Sequence, residues 1–209
     1  MLKELEILKL KKIPATLIFS YKELPVYCKG IVEDIKEDVI LLKIKEKCLI
    51  VPYLNVGEFF YMKADELTEP IRLEVLQKKD STVHARAISY EETYIEKRQH
   101  VRVQPSKPIP IYIREKDTVG SILDISVGGV GVFLKKKVIE PQEVVTLEFE
   151  LEGGEIRTKG ECRYVISYRE GYRAGFRFVD LDPKYESIIG RYVMKRQMEI
   201  LKELREIMV

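Results

Sequence analysis

Apolar and polar residues alternate along most of this chain, and alternation with a period of two predicts β-strands. Ala15 to Ser20, Val26 to Ile35, Val39 to Lys45, Glu58 to Lys63, Ile71 to Gln77 and Val83 to Ser89 are short β-rich runs, separated by charged or proline-bearing turns. Together they suffice for a small barrel or sandwich before residue 90. Residues 91 to 100, Glu-Glu-Thr-Tyr-Ile-Glu-Lys-Arg-Gln-His, break the alternation and are the expected linker. Strands resume at Ile109 to Arg114, Val119 to Ser126, Val130 to Lys135 and Val144 to Glu150, then at Ile156 to Tyr168, with a bend expected near Gly160, and at Tyr172 to Val179. The first ten residues fit a helix or an edge strand.

Asp182-Pro183 opens a different regime. An aspartate cap followed by proline in the first turn starts a helix well. Beyond it Tyr185, Ile188, Ile189, Tyr192, Val193, Leu201, Leu204 and Met208 recur at spacings of three and four or their sums, one apolar stripe on a long helix. Lys195, Arg196, Lys202 and Arg205 are placed on the other faces. The stripe either covers the barrel along its whole length, or its distal part, Leu201 to Met208, outruns the barrel and meets a partner or second subunit. The expected fold is all-β: two small antiparallel β-barrels, one in a domain of residues 1–92 and one in a domain of residues 93–209, plus the long C-terminal α-helix.

Composition narrows the function classes. The 209 residues carry 36 basic and 34 acidic side chains, a net charge of +2, with 45% hydrophobic residues. This balance is that of a globular protein and gives no sign of a duplex nucleic-acid binder, which shows a strong basic excess. No run of about 18 uncharged apolar residues is present, so no membrane span is expected. Charges from Lys3 onward leave no visible signal peptide, and the expected location is cytoplasmic. Cys28, Cys48 and Cys162 are odd in number and fit neither a disulfide framework nor a zinc site, so ordinary reduced, buried cysteines are expected. A lone asparagine, Asn55, with abundant Lys, Glu and Ile leans toward thermophile composition.

Enzyme chemistry finds no support. His84 and His100 have no partner at metal-ligand spacing and read as structural or solvated. Gly128, Gly129 and Gly131 do not make a dinucleotide fingerprint, and no carboxylate pair stands out as acid and base. Neither a catalytic residue nor a metal is expected. Two other groups carry more. Arg98 and Arg102, four apart and preceded by Lys97, present two guanidiniums on one side whether the segment is helical or extended. Arginine suits phosphates and guanine edges because its fork donates parallel hydrogen bonds and its plane stacks on bases. In Asp124-Ile125-Ser126-Val127-Gly128-Gly129, alternation sends Leu123, Ile125 and Val127 inward and Asp124 and Ser126 together to the opposite face. The glycines turn the chain and admit a ligand close to the backbone. Each group also has a plain reading: a solvated charge pair, and a turn whose Asp and Ser tie down their own backbone.

Together, Arg98 and Arg102 followed by Asp124, Ser126 and Gly129 resemble the R-x-x-x-R and D/N-x-S-x-x-G signature of the PilZ domain family, bacterial receptors for cyclic di-GMP. The resemblance spans roughly residues 94 to 209, including the Ala174-Gly175-Phe176-Arg177-Phe178 run and the C-terminal helix. A β-rich domain before it resembles the flagellar-brake (YcgR-like) arrangement. The resemblance implies that cyclic di-GMP binds at Arg98, Arg102, Asp124, Ser126 and Gly129, with Lys97, Gln99 and Gly128 nearby. It implies no further cofactor, and a signal relayed by an inter-domain change to a protein partner, such as a flagellar motor component, from a monomer or homodimer. The alternatives are a single-stranded nucleic-acid-binding barrel and a PilZ interaction module without ligand.

Overall fold

The computed structural model describes residues 1–45, 48, 50–91 and 99–206. In chain order they form α1 (Leu2–Lys11), β1 (Ala15–Tyr21), β2 (Leu24–Lys36), β3 (Val39–Ile44), β4 (Phe59–Lys63), β5 (Ile71–Lys79), β6 (Thr82–Tyr90), β7 (Pro110–Ile113), β8 (Thr118–Ser126), β9 (Gly129–Leu134), β10 (Val144–Leu151), β11 (Gly154–Tyr168), β12 (Gly171–Val179) and α2 (Pro183–Glu206). The strands close into two barrels, β1-β2-β3-β6-β5-β4 and β10-β11-β12-β9-β8-β7. The chain divides into two compact units, one of Met1–Tyr21, Pro25–Lys97 and Leu204–Val209, the other of Lys22–Leu24 and Arg98–Glu203. The expected boundary at 92/93 and most of the expected linker, apart from Glu91, Gln99 and His100, lie outside the described residues. Among the described residues no helix is long and apolar enough to cross a membrane.

In the first unit the undecided N-terminus is a helix. Leu5 and Leu8, three apart, share one face and are fully buried, while Leu10 is 78% exposed on the other. Barrel closure leaves no free edge and turns alternate residues inward. Leu17, Phe19, Ile40, Leu42, Phe60 and Met62 fill this interior, with the Phe19 and Phe60 rings stacked at 4.6 Å. The cysteine expectation is corrected here. Cys28 on β2 and Cys48 form a disulfide with Cα atoms 5.7 Å apart, within the range that allows one. The twenty-residue separation hides this pairing from sequence, because it is the β2–β3 turn that brings the two ends together. Cys162 is free and buried, as expected.

In the second unit Ile111, Ile113, Ile125, Val132, Leu134 and Leu147 are fully buried in the barrel. α2 begins as predicted: the Asp182 carboxylate accepts the Lys184 N–H at 2.7 Å, capping the first turn. Ile188 packs over the β10–β11 turn, where Gly153 and Gly154 take φ of +121° and +139°, conformations open to glycine. The stripe itself differs from the expectation. Ile188, Ile189, Val193, Ile200 and Leu204 are buried, and Arg196, expected on another face, is only 4% exposed. A spacing of 3.6 carries the stripe from Val193 through position 196 to Ile200. Arg196 is accommodated there by donating to the Gln104 carbonyl and pairing with Glu199 and Glu203. Leu201 is half-buried and Met208 lies outside the described residues, while Leu204 belongs to the core cluster of the first unit. In β11 the register shift falls between Cys162 and Tyr164, close to Gly160, near which the sequence predicts a bend.

Candidate functional site

The site grows from an irregularity in β8. The β8–β9 register shifts between Ile122 and Asp124, so Ile122 and Ile125 both face the core although they are three apart. Such a bulge inserts one residue and re-aims the side chains beyond it. The expected inward alternation therefore holds for Ile125 alone, since Leu123 and Val127 are half-buried. Asp124 and Ser126 do share the opposite face, but they are covered, at 2% and 3% exposure.

Sheet register shows what lies beside them. Asp124 pairs with Gly131, Gly131 with Gly175 and Gly175 with Tyr164, a row across β8, β9, β12 and β11. The two central positions have no side chains, and the outer two fold over them. A Cβ on Gly131 would overlap the Asp124 carboxylate, and one on Gly175 would overlap the Tyr164 ring. Asp124 thereby reaches across β9 to Arg173 on β12, whose Nη2 lies 2.6 Å from its Oδ2. The next row holds Ser126, Gly129, Arg177 and Glu161. The Ser126 hydroxyl donates to the Gly129 carbonyl at 3.3 Å, the local turn bond that serine favours. Gly129 is bare because the Phe176 carbonyl of β12 occupies the space a Cβ would need. Strand packing by itself therefore demands glycine at this position.

The arginine segment joins this face at Val103. Val103 and Ile125 exchange both backbone hydrogen bonds at 3.0 Å, an isolated antiparallel bridge on the edge of β8 that β7 leaves unpaired. Arg102, one residue earlier, places Nη1 3.9 Å from Asp124 Oδ1 while remaining about one-third exposed. The structure thus brings Arg102 to Asp124, with Ser126 two residues further along β8. Arg98 and Lys97 lie outside the described residues, and Gln99 is exposed. Gly128 has a different use: the His100 ring fills the volume that its Cβ would take.

Cations dominate the electrostatics here. Burial opposes the charge of Arg173, but Asp124, Tyr164 and Glu23 outweigh it and hold the guanidinium above its ordinary value. The hydrogen bond from Arg177, joined by one from Arg163, keeps the Glu161 carboxyl below the usual carboxylate range. Beside the site, Gln104, Pro105, Lys107, Leu123, Phe133 and Tyr168 line part of a cavity of about 390 Å³. Among the described residues no group of three or more His, Cys, Asp and Glu is arranged to hold a metal. Sequence reasoning missed Arg173, Arg177, Tyr164 and the packing of His100. Period-two reading of Tyr172 to Val179 would have put Arg173, Gly175 and Arg177 on one face, but only register reveals that this face adjoins Asp124.

Residues 96–195 match the PilZ domain model, which covers the whole of this site. Residues 96–195 of the chain form a PilZ domain. An uncharacterized protein of Aquifex aeolicus (strain VF5) is 80% identical over 174 residues, 83% of this chain and 86% of that relative. The structure of the MrkH–c-di-GMP complex of K. pneumonia is 13% identical, covering 97% of this chain and 96% of that one at a TM-score of 0.52, a likeness of fold. YcgR of Escherichia coli in complex with c-di-GMP is 14% identical over 99% of this chain and 93% of that one, at a TM-score of 0.49. Within the PilZ domain, Arg102 stands beside Asp124 of β8, and Ser126 of the same strand pairs with Gly129 of β9.

Proposed function

We propose that this chain binds cyclic di-GMP on the outer face of β8 and β9 and reports its presence without converting it. The observation that carries the reading is Arg102 beside Asp124, with Ser126 on the same face and glycines clearing the strand next to them. The ligand has two phosphates, which need cations, and two guanines, whose N–H edge needs an acceptor and whose faces need planar partners. Asp124 is the acceptor, Arg102 and Arg98 the clamp, and Ser126 with Gly129 the turn that fixes the acceptor's strand. Lys97, Gln99 and Gly128 flank the clamp, Gly128 by seating His100. MrkH, which shares the fold, is seen as a c-di-GMP complex, in support of this ligand. Occupancy of the site is relayed to a protein partner through a rearrangement of the two units, and a motility component is the partner class this reading favours.

Titration calorimetry with cyclic di-GMP, with GTP and a single-stranded oligonucleotide as controls, tests the assignment. Arg102→Ala and Asp124→Asn each cost at least ~1–3 kcal/mol of binding, the value of one good bidentate base contact. Unchanged affinity in the double variant, or equal affinity for the oligonucleotide, overturns it. Small-angle scattering with and without saturating ligand tests the rearrangement, and identical profiles count against it.

A further inference from the structure

Asp124 is a carboxylate at 2% exposure, and a buried charge is costly unless it is paired and hydrogen-bonded. Among the described residues two cations stand near it, and they differ in how they are held. Arg173 belongs to β12, which is paired on one side to β9 and on the other to β11. Arg102 precedes the single bridge at Val103 and is more exposed, 36% against 19% for Arg173. The barrel cation is also the closer, 2.6 Å against 3.9 Å. The path between Asp124 and Arg173 crosses β9 at Gly131, the position where a side chain would block it. The charged and titratable groups around the pair are Arg102 from the segment before β8, Tyr164 from β11, and Glu23, 3.7 Å from the Arg173 guanidinium, in the Lys22–Leu24 segment of this unit.

We propose that Arg173 is the positioning residue of this site: it holds the Asp124 carboxylate in place from the barrel, so that Arg102 can turn to the ligand without stranding a buried charge. Labour is divided between a fixed cation that serves the acceptor and a cation on the segment that serves the phosphates. The choice of cyclic di-GMP as ligand rests on the proposed function above; the tie between Arg173 and Asp124 does not.

The test uses the full chain carrying Arg173→Met, Arg173→Lys, Asp124→Asn and the Arg173→Met/Asp124→Asn pair. Affinity for cyclic di-GMP is measured by calorimetry from about pH 8 down to about pH 5, spanning the approach to the carboxylate range. Arg173→Met weakens binding at least ~tenfold, about 1.4 kcal/mol. The loss deepens as pH falls, because a carboxylate without its cation takes up a proton more readily. Arg173→Lys restores most of the affinity, since it keeps the charge. In the Asp124→Asn background, Arg173→Met changes affinity by less than about twofold, because coupled partners are non-additive. Carbon-detected NMR of the ligand-free protein supplies the second readout: Asp124 titrates at higher pH in Arg173→Met than in the parent. Wild-type affinity in Arg173→Met, or an equal loss in both backgrounds, overturns the proposal. If the parent chain does not bind cyclic di-GMP, the proposed function fails by itself. An Asp124 titration that does not move in Arg173→Met then overturns the positioning role separately.

Discussion

The two barrels share one strand order, yet only the second carries a cleared face. In each, the first strand pairs with the fourth and the third with the sixth, joining two three-stranded meanders. Each has a register shift on its second strand, Val32/Asp34 and Ile122/Asp124, and another on its fifth, Val75/Gln77 and Cys162/Tyr164. The rows through these bulges correspond position by position. The first barrel reads Asp34, Leu41, His84, Gln77; the second reads Asp124, Gly131, Gly175, Tyr164. Both rows begin with an aspartate re-aimed by a bulge. Asp34 remains 44% exposed and accepts from Lys9 on α1 at 3.0 Å, with Leu41 and His84 in the middle of its row. Asp124 is covered and reaches two strands away, because the middle of its row is glycine. The bulge supplies an aspartate in both barrels; the glycines let one of them reach an arginine two strands away.

The largest expected effect erases that difference. Gly131→Leu gives the second row the residue that the first has at Leu41. The added side chain overpacks the Asp124 carboxylate, at ~1–3 kcal/mol of folding stability, and the lost acceptor contact removes ~1–3 kcal/mol of binding. Calorimetry should show a loss of cyclic di-GMP affinity of about fivefold to 150-fold. Retained affinity would mean that the cleared row is not what distinguishes the barrels. The reverse change, Leu41→Gly, creates no binding in the first barrel, because no arginine on the sixth strand faces Asp34: His84 and Arg86 pair with Leu41 and Val39 there, and Arg86 is bound to Asp38 and Glu74.

The same comparison shows what the chain's pattern discloses. Strand positions follow from alternation, a local property, and the expected runs lie within two residues of β1 to β12 at either end. Arg102, Asp124 and Ser126 can be named because their spacing is itself local. The Arg173–Asp124 pair cannot, since its members are 49 residues apart and meet only through the β8–β9–β12 register. The bulges escape for a related reason. An extra residue in a strand looks like one more residue of alternation until its partner strand is known, so alternation sends Leu123 inward. Arg196 misleads because a charge on an apolar stripe reads as a break in the stripe, whereas two glutamates and a carbonyl satisfy it in place.

The second difference between the barrels is covalent. The Cys28–Cys48 link closes a loop in the first barrel with a separation of 20 residues. In the second, Cys162 is single and buried, and burial raises its thiol above the ordinary value. A cross-link of this loop length stabilises mainly by restricting the unfolded chain, by about 3 kcal/mol. Reduction should therefore destabilise the first barrel by about 3 kcal/mol and leave the second unchanged. Hydrogen exchange resolved by strand, in denaturant with and without dithiothreitol, reads the two separately. An equal response in β1–β6 and β7–β12 would remove the asymmetry.

The smallest expected effect concerns how each barrel ties down a tyrosine. At the end of β6 the Tyr90 hydroxyl donates to Glu4 on α1, which also accepts from Thr68. That hydrogen bond to a carboxylate, with some burial and the like charge of a phenolate beside Glu4, pushes Tyr90 up to about 12, while Thr68 and Tyr90 hold Glu4 below its usual value. The second barrel has a local version, in which Tyr112 donates to Asp117 at 2.8 Å and is raised for the same reason. The folded value for Tyr90 lies above that of the unfolded chain, so its contribution is fully present below about pH 10 and is lost as pH rises toward 12. The contribution of Glu4 runs the other way, present above its unfolded value and lost as pH falls through the folded one. Ultraviolet titration of the phenolates should therefore lose its highest step in Tyr90→Phe. In Glu4→Gln that step should instead fall back toward about 10, the value of an unpaired tyrosine. A highest step that persists in both variants would place the strongest phenol–carboxylate tie elsewhere, with Tyr112 and Asp117 of the second barrel the first pair to replace.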